Sequence, residues 1–324
     1  MKIRYYHYIC NDIEKEIYAT FLEGLLEYKN EITFSNMQNI NIDVFSRVLK
    51  MVLYDNPRIF YARTNIVKAL KYPTSIAIFI EYVFPLSSIP EIHNWLNEKI
   101  GEICSPVYSL NDDFSKEIYI HNYLIEKIKY SKTDVAQPTN AYTVVGALLE
   151  NFSVCAGIAL SFKLLMDFLE IPCIVATGET INSGDSNGYH AWNIVCLENN
   201  YYQIDVTWDL IEEDDSRLVK YDYFNLTSSE MYKTRIPEYQ YPICVSDEFN
   251  YFYYMNAIAS DTNDIVQFVI NAVRSHESNI YIKYTWNTLT KYELKELLKS
   301  IPNIGSYVFW FNEKTRTIFI KRDK

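Results

Sequence analysis

A chain of 324 residues that is 49% hydrophobic and only 22% charged is globular rather than disordered, and long enough for two or three domains. Its net charge of −11, with no Lys/Arg cluster to form a basic face, makes nucleic acid a poor partner. Six cysteines scattered without a CxxC pair suggest neither a zinc site nor a disulfide framework, and they suit a reducing compartment where a lone thiol stays available.

The opening stretch, MKIRYYHYICNDIEKEIY, has no uninterrupted apolar run of signal-peptide length before Asn11 and Asp12. The expected location is therefore the cytoplasm, with secretion after removal of a leader left open. Residues 12–30 and 42–54 read as helices, and SIAIFIEYVF as a buried strand. The longest apolar run, TSIAIFIEYVFPL, is too short to span a bilayer and is broken by Glu81. A helix is expected over 88–103, after which SPVYSLNDDFS breaks the chain. The next helix, 113–129, brings Phe114, Ile118, Ile120, Leu124 and Ile128 on or near one face. Then SVCAGIALSFKLL reads as an amphipathic helix: Ser153 is a good N-cap, Ile158, Phe162, Leu165 and Leu169 recur at helical spacing, and Pro172 stops the run. Strands follow at PCIVATG, HAWNIVCLE and YYQIDVTW, the first two separated by the loop ETINSGDSNGY. From 248 the alternation restarts with strand NYFYYMNA, helix 262–275, strand NIYIKY, helix 290–300 and the hairpin SYVFWF-NEKT-RTIFIKR.

Cys155, at the start of its helix, feels the positive end of the dipole, which favours a thiolate; free cysteine is also among the most buried residue types. Position alone leaves nucleophile and core filler both open. A nucleophile needs a base, and the base needs an orienting acceptor. Of five histidines, His190 opens a strand beside the glycine-containing loop. Asp205, between Ile204 and Val206, is out of place on a strand unless a partner holds it; a strand-end cap of a backbone N–H is the alternative. If Glu198-Asn199 form a two-residue turn, His190 lies opposite Thr207 and Trp192 opposite Asp205. His190 and Asp205 are then diagonal neighbours on one face, ~7–8 Å apart at Cα. Were Asp205 to face away, Asp209 is the next candidate. Cys173 and Cys196 read as core and His121 as structural. The run Glu212–Asp215 reads as a solvated loop, or more sharply as an acidic rim for basic acceptors. Tyr142, with Asn140 beside it, is the candidate to complete an oxyanion hole with the Cys155 N–H, while Trp192 and Trp208 read as packing residues able to wall a cleft.

The ordered set SVCAGIALSFKLLMDFLEIPCIVATG, HAWNIV and YYQIDVTWD resembles the bacterial transglutaminase-like superfamily, relatives of papain-type cysteine peptidases. SKEIYIHNYLIEKIKY and AYTVVGALLENFSVC upstream and YDYFNLTSSEM downstream extend the resemblance over about 113–235. It implies Cys155 as nucleophile, His190 as general acid/base and Asp205 as orienting carboxylate. The fold it implies is α+β, a nucleophile helix packed on an antiparallel sheet. That core (111–247) is flanked by a mostly helical N-terminal region (1–110) and a small C-terminal α+β domain (248–324). The expected activity is cysteine-dependent acyl transfer on protein or peptide carboxamides, without a cofactor, favouring hydrolysis over crosslinking. A non-catalytic interaction module on the same scaffold is the alternative, and metal binding by Cys155, His190 and Asp205 ranks last. Asp205→Asn is expected to leave the fold intact, because the amide oxygen still accepts a hydrogen bond.

Overall fold

The computed structural model describes residues 4–131, 139–181, 188–213, 216–286 and 288–323. In the N-terminal region α1 (Tyr5–Ile9) leads into α2 (Asp12–Leu26). Asn11 and Glu14 cap α2 reciprocally, each side chain accepting the other's backbone N–H at 3.0 Å. Beside α3 (Ile42–Asp55) and α4 (Ile89–Cys104) stands an antiparallel sheet in the order β1-β3-β2, with β1 at Glu31–Ser35, β2 at Ala62–Lys71 and β3 at Ser75–Tyr82. Only the central β3 is written as an apolar run. β2 is a sheet edge, polar and with shifts in its register, so no alternation marks it.

The middle of the chain opens with α5 (Asp113–Lys127), capped by Asp112, which accepts the Ser115 N–H at 2.7 Å. β4 (Lys129–Tyr130) pairs in parallel with β5 (Phe152–Ser153), and α6 (Val144–Leu148) lies between them in sequence. Then comes α7 (Cys155–Phe168), and here two expectations are corrected. Its N-cap is Val154, because the Ser153 hydroxyl is spent on the Ala141 carbonyl at 2.8 Å; Cys155 is thus the first helical residue. Nor is α7 amphipathic, since nearly every residue from Gly157 to Asp167 is buried. It tolerates Lys163 at its centre because that ammonium meets Asp167 at 3.1 Å and the Cys173 carbonyl at 2.8 Å.

Against α7 lie β6 (Cys173–Thr180) and β7 (Tyr189–Leu197), and β8 (Asn200–Ile204) pairs with β7. The chain continues through α8 (Val206–Asp209), the hairpin of β9 (Leu210–Glu213) and β10 (Ser216–Val219), and α9 (Ser228–Met231). β11 (Arg235–Pro237) then completes an antiparallel sheet in the order β11-β6-β7-β8. Glu198 and Asn199 form the β7–β8 turn with φ of 47° and 66°, so Asn193 pairs with Ile204 and Leu197 with Asn200, the expected register. The predicted strand through Trp208 is shorter than expected, ending at Ile204, because Asp205 caps a helical turn.

NYFYYMNA is α10 (Tyr251–Tyr254) rather than a strand: the Asn250 side chain accepts the Phe252 N–H at 3.2 Å, and that local cap overrides the aromatic strand propensity. Beyond it are β12 (Ile258–Ala259), α11 (Thr262–Arg274), β13 (Asn279–Tyr284), α12 (Lys291–Lys299), β14 (Tyr307–Asn312) and β15 (Thr317–Arg322). These strands make a second sheet, β12-β13-β15-β14. One buried core runs from Tyr5 to Phe252, and another from Ala259 to Ile320.

Candidate active site

Three elements converge on Cys155. As the first residue of α7, it has a backbone N–H without an intrahelical acceptor, and the helix dipole points its positive end at the sulfur. Gly157 allows this end to press onto the preceding segment: a Cβ there would stand 2.2 Å from Ser153 Oγ and 2.6 Å from the Ala141 carbonyl. His190, near the start of β7, brings its buried ring beside the sulfur and hydrogen-bonds it. Asp205 closes the relay, with Oδ2 at 2.7 Å from His190 Nε2, leaving Nδ1 for Cys155.

Asp205 combines both sequence readings. As the N-cap of α8 it accepts the Trp208 N–H on Oδ1 at 3.1 Å, and its own N–H donates to the Tyr223 carbonyl at 3.0 Å. Oδ2 takes His190 and also the guanidinium of Arg235, a residue the sequence did not single out. Arg235 is buried, with its guanidinium carbon 3.5 Å from the centre of the Trp208 ring and Nη1 on Thr234. Nothing in TRIPEYQ marks an active-site cation. Its placement depends on Gly178, where a Cβ would stand 2.1 Å from the Ile236 carbonyl and push β11 off β6.

The electrostatics follow from this geometry. Burial pushes the Asp205 carboxyl up, but the His190 and Arg235 charges outweigh it and hold the pKa near 2. Burial pushes His190 down, but Asp205 and Cys155 lift it to about 9. Burial also pushes the Cys155 thiol up; the His190 charge and hydrogen bond and the Ala191 backbone N–H bring it below the ordinary value. Each of the other five cysteines is raised by burial, Cys10 and Cys244 to about 11 and Cys104 to about 12. The site is arranged to hold a thiolate–imidazolium pair.

The remaining candidates fall elsewhere. Trp192 is fully buried with its indole N–H on Gln203 at 2.7 Å, and stacks behind His190 at 6.2 Å, so it offers no wall to a cleft. Trp208 does, half-buried and 6.0 Å from the His190 ring. Tyr142 is half-exposed at the end of a short 3-10 turn, and Asn140 is committed to Glu150. The Tyr130 hydroxyl on β4 lies beside the nucleophile candidate and accepts the Cys155 backbone N–H. Asp209 is taken by His121 at 3.1 Å and the Tyr223 N–H at 2.8 Å. There burial lowers His121 to about 4 and raises Asp209, which describes a neutral structural pair. Of the run Glu212–Asp215, residues 214 and 215 lie outside the described residues, as do 182–187 of the loop before His190. Among the described residues no group of three or more His, Cys, Asp and Glu is placed to hold a metal, and no helix is long and apolar enough to cross a membrane.

A thiol on a helix N-terminus, facing an Asp-held histidine on an antiparallel sheet, is an arrangement suited to cysteine-based catalysis. Residues 103–206 match the model of the transglutaminase-like superfamily, and the chain carries a transglutaminase-like domain spanning all three residues. No curated protein matches. Among solved structures, a transglutaminase (TGase) is 12% identical over 48% of this chain and 47% of that one, with a TM-score of 0.33. A putative cysteine protease from Cytophaga hutchinsonii is 14% identical over 45% of this chain and 63% of that one, with a TM-score of 0.29. The chain thus spans about half and under two thirds of their respective lengths.

Proposed function

We propose that this protein transfers the acyl group of a protein or peptide carboxamide to Cys155 and then to water. The observation that carries the reading is the unbroken relay from Arg235 through Asp205 and His190 to Cys155. The thiolate attacks the carbonyl carbon, forming a C–S bond while the π pair moves to oxygen. On collapse the C–N bond breaks and the His190 imidazolium gives its proton to the leaving nitrogen. Neutral His190 then takes a proton from water as that oxygen attacks the thioester; the C–S bond breaks, releasing acid and restoring the ion pair.

Hydrolysis is favoured over crosslinking by the surroundings. Beside Tyr130, Thr207 and Trp208 opens a cleft of about 1640 Å³ that admits water and includes the exposed Lys291 and Lys295 in its lining, a charge that disfavours an ammonium-bearing acceptor. The test is acid-quench mass spectrometry on mixed Gln- and Asn-containing peptides. The expected result is an acyl adduct on Cys155, with ammonia or a shortened peptide released faster than a labelled primary amine is incorporated. An adduct on another cysteine, or turnover undiminished by Cys155→Ser, would overturn the proposal.

A further inference from the structure

The cleft beside the site has a far wall that belongs to the C-terminal sheet. All six residues of β14, Tyr307–Asn312, line it. One face of a strand presents only alternate residues, so a cleft that touches all six takes in the strand's edge. β14 is indeed the outer strand of β12-β13-β15-β14. Ser306 and Asp323 are paired through the Asp323 N–H on the Ser306 carbonyl at 3.0 Å, and hydrogen-bonded pairs alternate along an antiparallel ladder. Tyr307, Phe309 and Phe311 therefore point their N–H and C=O groups away from β15, into the cleft.

The charge of this wall is opposite to that of the molecule. In a chain of net charge −11 the lining holds five lysines against three acids; Lys220 is buried against Trp310, and the exposed Lys291 and Lys295 stand one turn apart on α12. Of those acids, Asp222 is already engaged by Asn312 at 3.0 Å and by Thr317. The volume, about 1640 Å³, exceeds the roughly 300–1,000 Å³ of small-molecule pockets.

We infer that β14 and α12 form a docking wall for the substrate: an extended acidic segment of a protein adds along the β14 edge, its carboxylates facing the lysines, and its chain leads past Trp208 to Cys155. Backbone pairing supplies affinity without sequence preference, and the lysines select charge. This rests on the reading of Cys155 as the nucleophile, and it names the substrate class for that site.

The test uses the full chain carrying Cys155→Ala and a labelled extended peptide of alternating Glu and Val, with a Lys/Val peptide for comparison. Fluorescence anisotropy should detect only the acidic peptide, with binding weakened by salt. K291E/K295E, which alters two exposed side chains, should weaken binding by about tenfold or more while the melting temperature stays unchanged. Hydrogen exchange should slow at Tyr307, Phe309 and Phe311 when the acidic peptide binds. Equal binding of both peptides, no effect of the charge reversal, or protection of β14 by dimerisation without peptide would each overturn the inference. Iodoacetamide labelling of Cys155 in K291E/K295E separates the two readings. A reactive Cys155 with no peptide selectivity sinks the docking wall alone, and an inert Cys155 sinks the chemistry.

Discussion

Asp205 serves three donors with one carboxylate, and the third changes what its replacement does. With Oδ1 on the Trp208 N–H, an asparagine would turn its NH2 toward both His190 and Arg235, two donors facing a donor. Arg235 therefore argues against the expectation that Asp205→Asn leaves the fold intact. Arg235→Met leaves the carboxylate buried with one cation fewer, and removing one partner of such a buried pair costs about 3–5 kcal/mol. Both variants should lower thermal stability and slow Cys155 alkylation at neutral pH: Asp205→Asn removes the charge that holds His190 protonated, and Arg235→Met frees the carboxylate to move off His190. Normal stability and normal reactivity for Arg235→Met would show that the clamp is idle. Cys155, His190 and Asp205 were legible because an out-of-place aspartate and a turn of fixed length are written locally. Arg235 and Tyr130 were not: each reaches the site through a strand pairing, β11 on β6 and β4 on β5, that no local pattern encodes.

Between elements, the site depends on how closely backbones approach. Gly178 pairs with His190 on one side and with Pro237 on the other, so one residue spaces both the histidine strand and the arginine strand. Gly178→Ala should cost roughly 1–3 kcal/mol by overpacking and, by displacing β11, reduce Cys155 reactivity more than a stability loss alone explains. Thermal melts and alkylation rates on the same sample separate the two effects. If reactivity keeps pace with the folded fraction, β11 does not position Asp205. The β7–β8 register was readable because a two-residue turn at Glu198-Asn199 fixes it, and a one-residue slip would put His190 and Asp205 on opposite faces. The end of β8 was not, because Asp205 leaves the ladder to cap α8.

For the whole molecule, the larger core takes in the N-terminal helices as well as the transglutaminase-like domain. The Tyr6 hydroxyl donates to the Val175 carbonyl of β6 at 2.7 Å and contacts the Tyr241 hydroxyl at 2.9 Å. We propose that the C-terminal unit folds separately, starting beyond Met255 rather than at 248, because Phe249 and Phe252 are buried in the larger core. Limited proteolysis should cut first at the exposed residues 253–256 and leave a folded N-terminal fragment. Aggregation of that fragment would mean that the contacts between the units, such as Lys283 on Glu230 at 2.8 Å, are indispensable to the larger core. The small unit was legible in outline because its helices and hairpin carry their own caps and alternation. Its role as a cleft wall depends on an edge meeting Trp208, which is set only in three dimensions.

The thiolate–imidazolium pair is tested most directly by the pH profile of iodoacetamide labelling at Cys155, with and without His190. Labelling of Cys155 should outrun the other five cysteines at neutral pH. Its rate should rise below the ordinary thiol range, hold a plateau while the pair persists, and change again near pH 9 as His190 loses its proton. His190→Ala should replace this profile with a single alkaline rise and slow labelling at pH 7 by about tenfold or more. Uniform labelling of the cysteines, labelling led by Cys10, or a Cys155 rate indifferent to His190→Ala would contradict the pair.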